Sequence, residues 1–366
     1  MESIYWVITW ACHRKCVHCY DDRFRPYVRE ELARVIGEGQ AAYERIVENL
    51  PEDFTYLDPH RLTPEGAPQR RRGRLILAGG EPLLDTVREP LFYPVLEAVN
   101  ARYGRGRGPL LSMQTTGDIL EERHIEEMLE RGVWLIAVAS IDDFHVGHEG
   151  DKKFALMDKI RRMMEKFGVE EAAMAAASDH RVNLPMARDY LIEPGPFFVF
   201  FGAQPELWIG EIWPRGRAWL NGLSNAGYET NFCARWAGGR GFLNYGWAGS
   251  EVGIQPDGSV FPCCLKTKAP LGNVAEEKLI DILDSLKGHP AFEAINDGDP
   301  EAMGEFAGWS RATFKDRSHI NDPTGRPYGN MCIGCDAFFQ EKLGAVLAEK
   351  RAERLAKRQQ LAAALA

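Results

Sequence analysis

Several absences narrow this chain before any motif is read. No run of eighteen apolar residues occurs among its 366, so no segment reads as a membrane-spanning helix. Where a secretory signal would place its apolar stretch, the N-terminus carries cysteines instead. Positive charge is in deficit: 44 Lys and Arg stand against 53 Asp and Glu, a net charge of −9. That balance argues against general electrostatic attraction to nucleic acid. The basic runs Arg70-Arg71-Arg72-Gly73-Arg74 and Arg105-Gly106-Arg107 read as solvated loops beside strand starts. These absences predict a soluble, cytoplasmic protein that engages neither membrane nor nucleic acid.

Cysteine is scarce, 8 in all, but it is not scattered. Cys12, Cys16 and Cys19 form C-x3-C-x2-C, Cys332 and Cys335 form C-x2-C, and Cys233, Cys263 and Cys264 lie between. In a chain without secretory features, such clusters point to metal ligation rather than disulfides. Three neighbouring thiolates suit zinc or an iron-sulfur cluster. Structural zinc takes four ligands, usually from paired C-x2-C knuckles, whereas a cubane held by three cysteines keeps one iron open to a small molecule. The uneven spacing favours the open cluster.

The composition is otherwise that of a globular protein, 45% hydrophobic and 27% charged, and the length allows one large and one smaller domain. Apolar runs at 3–10, 74–78, 110–114 and 133–139 predict strands, with helices over 30–50, 85–103 and 121–131 between them. Residues 51–69, polar and proline-bearing, read as an irregular surface insertion. A helix over 151–167, a fifth strand near 172–177 and a sixth at 196–202 follow. This alternation is the signature of parallel βαβ construction. Each of the first four strands exits into unusual residues: the cysteines, Gly79-Gly80-Glu81-Pro82, Thr115-Thr116-Gly117-Asp118 and Ser140-Ile141-Asp142. Ligands of parallel α/β folds lie at that edge, so one site built from all four exits accounts for them. His145 and His148 come next, open to substrate contact, acid-base work, a metal pair or plain surface placement.

A cysteine triplet directly after a strand, followed in order by Gly-Gly-Glu-Pro, Ser-Ile-Asp and Pro214-Arg215-Gly216-Arg217-Ala218, resembles the radical S-adenosylmethionine (SAM) enzymes. The resemblance implies an α/β fold, a partial (β/α)6 TIM-like barrel over residues 1–220, with an open 4Fe-4S cluster on Cys12, Cys16 and Cys19. That cluster would chelate SAM and cleave it to methionine and a 5'-deoxyadenosyl radical, which abstracts hydrogen from an organic substrate. His18 takes the position whose main chain meets adenine. Gly79, Gly80 and Glu81 would receive the methionyl ammonium through a carbonyl or the carboxylate, with Thr115 at the next exit. Ser140 and Asp142 would face the ribose or substrate, with a helix cap the other reading of Asp142, and Arg215 or Arg217 would hold a carboxylate of either, with a structural salt bridge or helix start as the alternative. His145 is a candidate acid-base group, and a flavodoxin or ferredoxin the implied electron donor.

From residue 231 glycine, tryptophan and cysteine dominate. A hairpin over 253–264, turning at Asp257-Gly258, delivers Cys263 and Cys264, and a helix over 279–286 precedes Cys332 and Cys335. Four cysteines can fully ligate a second, auxiliary 4Fe-4S cluster. The pattern resembles the Twitch domain, a shortened relative of SPASM, implying a smaller α+β unit over 221–340; the full SPASM pattern needs three more cysteines after Cys335. Zinc at these four, in a non-catalytic binding protein, is the alternative. Seven thiols are then used, Cys233, Cys332, Cys335 and one of Cys263 and Cys264 in the second set. Spacing from Gly258 favours Cys263, leaving a spare thiol as a hydrogen donor or a small buried hydrophobe. Residues 337–366 read as an amphipathic helix, with 341–366 beyond the domain. The expected reaction is a net oxidation or bond formation, with epimerisation or group transfer from SAM as alternatives. The substrate is a peptide or small molecule, and the lack of a recognisable leader-binding domain before the barrel leans toward the latter.

Overall fold

The computed structural model describes residues 1–172, 194–202, 211–235 and 238–365. Its organising strand is β1 (Ser3–Thr9), seven residues that are all buried. It runs parallel to β4 (Arg74–Gly79) on one side and β9 (Glu251–Ile254) on the other, with Ser3 opposite both Arg74 and Glu251. A strand enclosed by neighbours and covered on both faces has no solvent side, which is why SIYWVIT is almost wholly β-branched and aromatic. Its two faces still differ. Ile4, Trp6 and Ile8 pack into the main core, whereas Tyr5 and Val7 join a second cluster with Trp10 and Cys12.

Parallel pairing continues through β5 (Leu110–Thr115), β6 (Val133–Val138) and β8 (Phe197–Phe200). The α/β class and the parallel, partial-barrel architecture expected from the sequence are present. The helices Arg29–Asn49, Tyr93–Tyr103, Glu122–Glu130 and Lys152–Lys166 connect the strands. On the far side of β9, β10 (Ser259–Phe261) returns antiparallel and pairs with β11 (Gly272–Asn273). Gly258 makes the turn at φ +87°, a conformation that costs glycine little. The cysteine-bearing hairpin thus extends the same sheet that carries the first cysteine loop.

Four local expectations are corrected. Residues 51–69 are not irregular: β2 (Thr55–Leu62) and β3 (Pro68–Arg72) form a hairpin, anchored where Leu57 bridges Trp247. Of the arginines of β3, Arg71 is engaged by buried Asp58 rather than solvated, whereas Arg70, paired with Asp53, stays exposed. The helix expected over 85–103 is interrupted by a π turn at Arg88–Phe92, where Pro90 has no N–H for the helical ladder. The C-terminal helix begins earlier than expected, as Met331–Phe338, and passes through a π turn before Gly344–Leu365. Buried Arg354 ties that last helix to Glu277 at 2.7 Å.

Most of the expected fifth strand, 173–177, lies outside the described residues. Just before it, β7 (Glu170–Glu171) sits at the sheet edge beyond β8, which pairs directly with β6. Among the described residues, no helix is long and apolar enough to cross a membrane.

Candidate active site and metal centres

Because β1, β4, β5 and β6 run parallel, their exits meet at one edge. Cys12, Cys16 and Cys19 from the first exit, Gly79 and Gly80 from the second, Thr115 and Thr116 from the third, and Ala139 from the fourth line a single cavity. The cysteine loop is pinned by its backbone: Cys12 N–H donates to Arg25 at 3.1 Å, Cys19 N–H to Cys16 at 3.3 Å and Glu81 N–H to Ala11 at 2.9 Å. Gly80 is required here, since a Cβ would stand 2.1 Å from the Ala11 carbonyl oxygen.

Burial pushes the Cys12 thiol up to about 12 and that of Cys19 to about 11, and raises Cys16 as well. Such thiols stay protonated near neutrality until a soft metal displaces their protons. His18 lines the same cavity, and its buried Nδ1 has no partner among the described residues. Three soft donors, two buried and one half-buried, a glycine-lined backbone and an unsatisfied ring nitrogen fit an open iron-sulfur cluster with a polar ligand beside it.

Of the other residues singled out by sequence, the cavity takes Thr115 and His145 but not all the rest. Burial, then His145, lowers His18 to about 4, keeping that ring neutral. His145 Nδ1 lies 2.8 Å from Asp142, and its ring stands 4.6 Å from that of His18. His18, Asp142 and His145 offer ligand atoms within 4.8 Å of one another, a grouping hidden by their spacing in sequence. Asp142 Oδ1, however, also accepts from the N–H groups of Phe144 and His145, so it orients this loop and does not line the cavity. Ser140 Oγ donates to the Thr116 carbonyl at 2.6 Å and also faces away. His148 is buried, its Nδ1 3.2 Å from the Ser140 carbonyl, which corrects the surface placement.

Glu81 departs from the expected role. Its fully buried carboxylate accepts from the Thr115 hydroxyl, from both the hydroxyl and N–H of Thr116, and from Leu83 N–H. It stitches the second and third exits together, leaving the main chain of Gly79 and Gly80 at the cavity.

Arg217 lines the first cavity and Arg215 the second, and protein groups engage both guanidiniums, Arg215 in a salt bridge with Asp336. Arg217 donates to the carbonyls of Cys16, Asp22 and Phe24 at 2.7, 2.9 and 2.6 Å. Arg215 points the other way, donating to Leu265 and Cys332 carbonyls and to Asp336. Gly216 between them has φ +53°, and a Cβ would meet the Tyr20 and Asp21 backbone at 2.4 Å. This turn therefore rests on the first cysteine loop while reaching the second cysteine set.

That second set, Cys233, Cys263, Cys332 and Cys335, lines a separate, largely apolar cavity. Burial raises Cys263 to about 11 and Cys332 to about 12. Four soft donors gathered in one mostly apolar cavity fit a fully ligated cluster. Cys264 is not among them; it lines the first cavity together with the cysteine loop. With it stand three polar groups that motif reading missed. Tyr5 Oη lies 3.1 Å from Tyr20 Oη and donates to Gln114 Oε1 at 3.0 Å. Strand alternation was the available signal, since Tyr5 and Gln114 occupy the cavity-facing sides of β1 and β5.

Residues 246–302, which include Cys263 and Cys264, match the family model SPASM, described as an iron-sulfur cluster-binding domain. The SPASM match ends before Cys332 and Cys335, which the fold brings to Cys263. Solved structures give weaker likenesses. BtrN in complex with AdoMet and 2-DOIA is 14% identical, covers 81% of this chain and 88% of its own, and has a TM-score of 0.41. Native anSMEcpe with bound AdoMet is 14% identical over 96% of this chain and 100% of its own, at 0.41. Streptococcus suis SuiB bound to precursor peptide SuiA is 11% identical over 80% and 66%, at 0.39. At these scores the likeness carries no functional weight. No curated protein sequence matches the chain.

Proposed function

We propose that this chain is a radical SAM enzyme that oxidises an organic substrate. The observation that carries the reading is the division of cysteines between two cavities: three meet glycine-lined strand exits, and four others meet one another. With both clusters and SAM bound, the chemistry supplied is one-electron cleavage of SAM to methionine and a 5'-deoxyadenosyl radical, hydrogen abstraction from the substrate, and passage of one electron onward, a net two-electron oxidation or bond closure.

The chain's own residues have definite parts in this reading. Cys12, Cys16 and Cys19 hold the first cluster and leave one iron for SAM. The main chain of Gly79 and Gly80 receives the methionyl group, and neutral His18 and the Thr115 edge meet the nucleoside. Tyr5, Tyr20, Phe201 and Trp213 wall the cavity, excluding water from a radical. Residues 1–220 serve as the SAM-binding part, 221–340 as the auxiliary-cluster part, and 341–366 as a bracing helix. The substrate is a small molecule or a peptide, and a flavodoxin or ferredoxin supplies the first electron.

Anaerobic reconstitution tests this. Brown protein with about eight irons that forms 5'-deoxyadenosine under a reductant is the expected result; colourless protein with zinc at the cysteines would overturn it in favour of a binding protein. A second reading, redox-neutral epimerisation, is favoured by Cys264, a buried thiol at the first cavity with a hydrogen atom to donate. Solvent deuterium at carbon in the product selects epimerisation; its absence selects oxidation.

A further inference from the structure

The cavity of Cys233, Cys263, Cys332 and Cys335 is otherwise lined by mostly apolar residues, Thr267 and one cation: among its described lining residues, Arg215 alone is charged. Arg215 is held on three sides. Its Nε donates to the Leu265 carbonyl at 3.2 Å, and its Nη2 to the Cys332 carbonyl at 3.3 Å and to Asp336 Oδ1 at 3.0 Å. The side chain is only 13% exposed, so water screens its charge weakly. A fully thiolate-ligated cluster is an anion that gains another negative charge on reduction, and nearby charge and hydrogen bonding set its potential.

We propose that Arg215 raises the reduction potential of the auxiliary cluster, making it an electron acceptor, while Asp336 limits the rise. The inference rests on the cluster reading above and adds a positioning and tuning role that the sequence assigned elsewhere. Arg215 is suited to this because its neighbour Arg217 grips the first cysteine loop. One turn therefore fixes the cation against the second cysteine set and anchors it to the first.

The test uses the full chain carrying Cys12→Ala, Cys16→Ala and Cys19→Ala, reconstituted anaerobically, so that any iron and any EPR signal belong to the second set. Redox titration then compares this background with added Arg215→Gln, Arg215→Lys or Asp336→Asn. The expected result is a fall of the midpoint potential in the Gln variant, at least a tenfold lower reduced-to-oxidised ratio at a given potential, about 59 mV for one electron. The Lys variant should stay close to the background and the Asn variant should rise. A cluster present with an unmoved potential in the Gln variant overturns the proposal and leaves the cluster reading intact, as does a Lys variant that falls equally. If the Gln variant loses its iron, the Asn variant decides: a rise supports the proposal and no rise overturns it. A background that binds no iron overturns the cluster reading itself.

Discussion

Cys263 and Cys264 are consecutive in the chain and open onto different cavities, Cys263 with Cys233, Cys332 and Cys335, and Cys264 with Cys12, Cys16 and Cys19. They lie in the bend and turn that follow β10, past Pro262. One peptide unit thus separates the thiols that line the two proposed centres. Cys263→Ala should halve the iron of the reconstituted protein, from about eight to about four per chain, whereas Cys264→Ala should retain all of it. Iron quantified against protein checks this, and equal losses in the two variants would refute the division.

Gly80 and Gly37 should respond with opposite signs to the same substitution. A Cβ at Gly80 would stand 2.1 Å from Ala11 O and 2.9 Å from Cys12 Cβ. The obstacle is mostly backbone, which cannot swing away, so Gly80→Ala should cost about 2 kcal/mol or more and displace the start of the cysteine loop. A Cβ at Gly37, within the helix Arg29–Asn49, would meet nothing within 4 Å. Gly37→Ala should stabilise by about 0.5–1 kcal/mol through helix propensity. Denaturant unfolding of both variants measures the contrast.

The cysteine spacing, the strand exits and the cysteine-bearing hairpin were legible because each is local: a run of apolar residues, a turn, a ligand at its end. What was not legible is where long polar side chains go once distant segments meet. Arg215 and Arg217 are two residues apart, and no spacing says that one reaches Cys332 and the other Cys16. Glu81 follows the same logic, since its carboxylate is consumed by Thr115 and Thr116 of the next strand exit. Tyr5 reads as plain core until the alternation of β1 is set against the cavity. The β2 and β3 hairpin escaped because Pro59 and Pro68 masked a strand pattern made mostly of polar residues.

Arg217 carries the first cysteine loop from outside it. The residue is 7% exposed, and its guanidinium donates to three carbonyls, those of Cys16, Asp22 and Phe24. Removing the side chain leaves the Cys16 and Phe24 carbonyls buried without a donor, and each unsatisfied buried group costs about 1–3 kcal/mol. Arg217→Ala should therefore lower stability by about 2 kcal/mol or more and deplete iron at Cys12, Cys16 and Cys19 before the second set. Arg217→Lys should recover only part of this, because an ammonium cannot reproduce the planar fork. Thermal unfolding together with iron counts distinguishes loss of this one loop from general unfolding, which would empty both sets together.

Glu251 gives the fold a pH dependence of definite sign. It lies on β9 opposite Ser3 of β1, with Oε2 accepting from the Ser3 hydroxyl and Oε1 without a partner among the described residues. Burial raises its carboxyl from 4.5 to about 7, against the opposing pull of Ser3 and Arg74. Between those two values the folded chain keeps a proton that the unfolded chain has already released, so stability falls as pH rises through that window and stays low above it. At about 1.4 kcal/mol per pKa unit, the penalty grows by about 2 kcal/mol between pH 5.5 and 8. Glu251→Gln removes the ionisation and keeps an acceptor for Ser3. It should therefore gain stability relative to the parent by about that amount over the same interval. Urea unfolding at the two pH values measures the difference, and parallel stability curves for parent and variant would show that Glu251 does not titrate in this range.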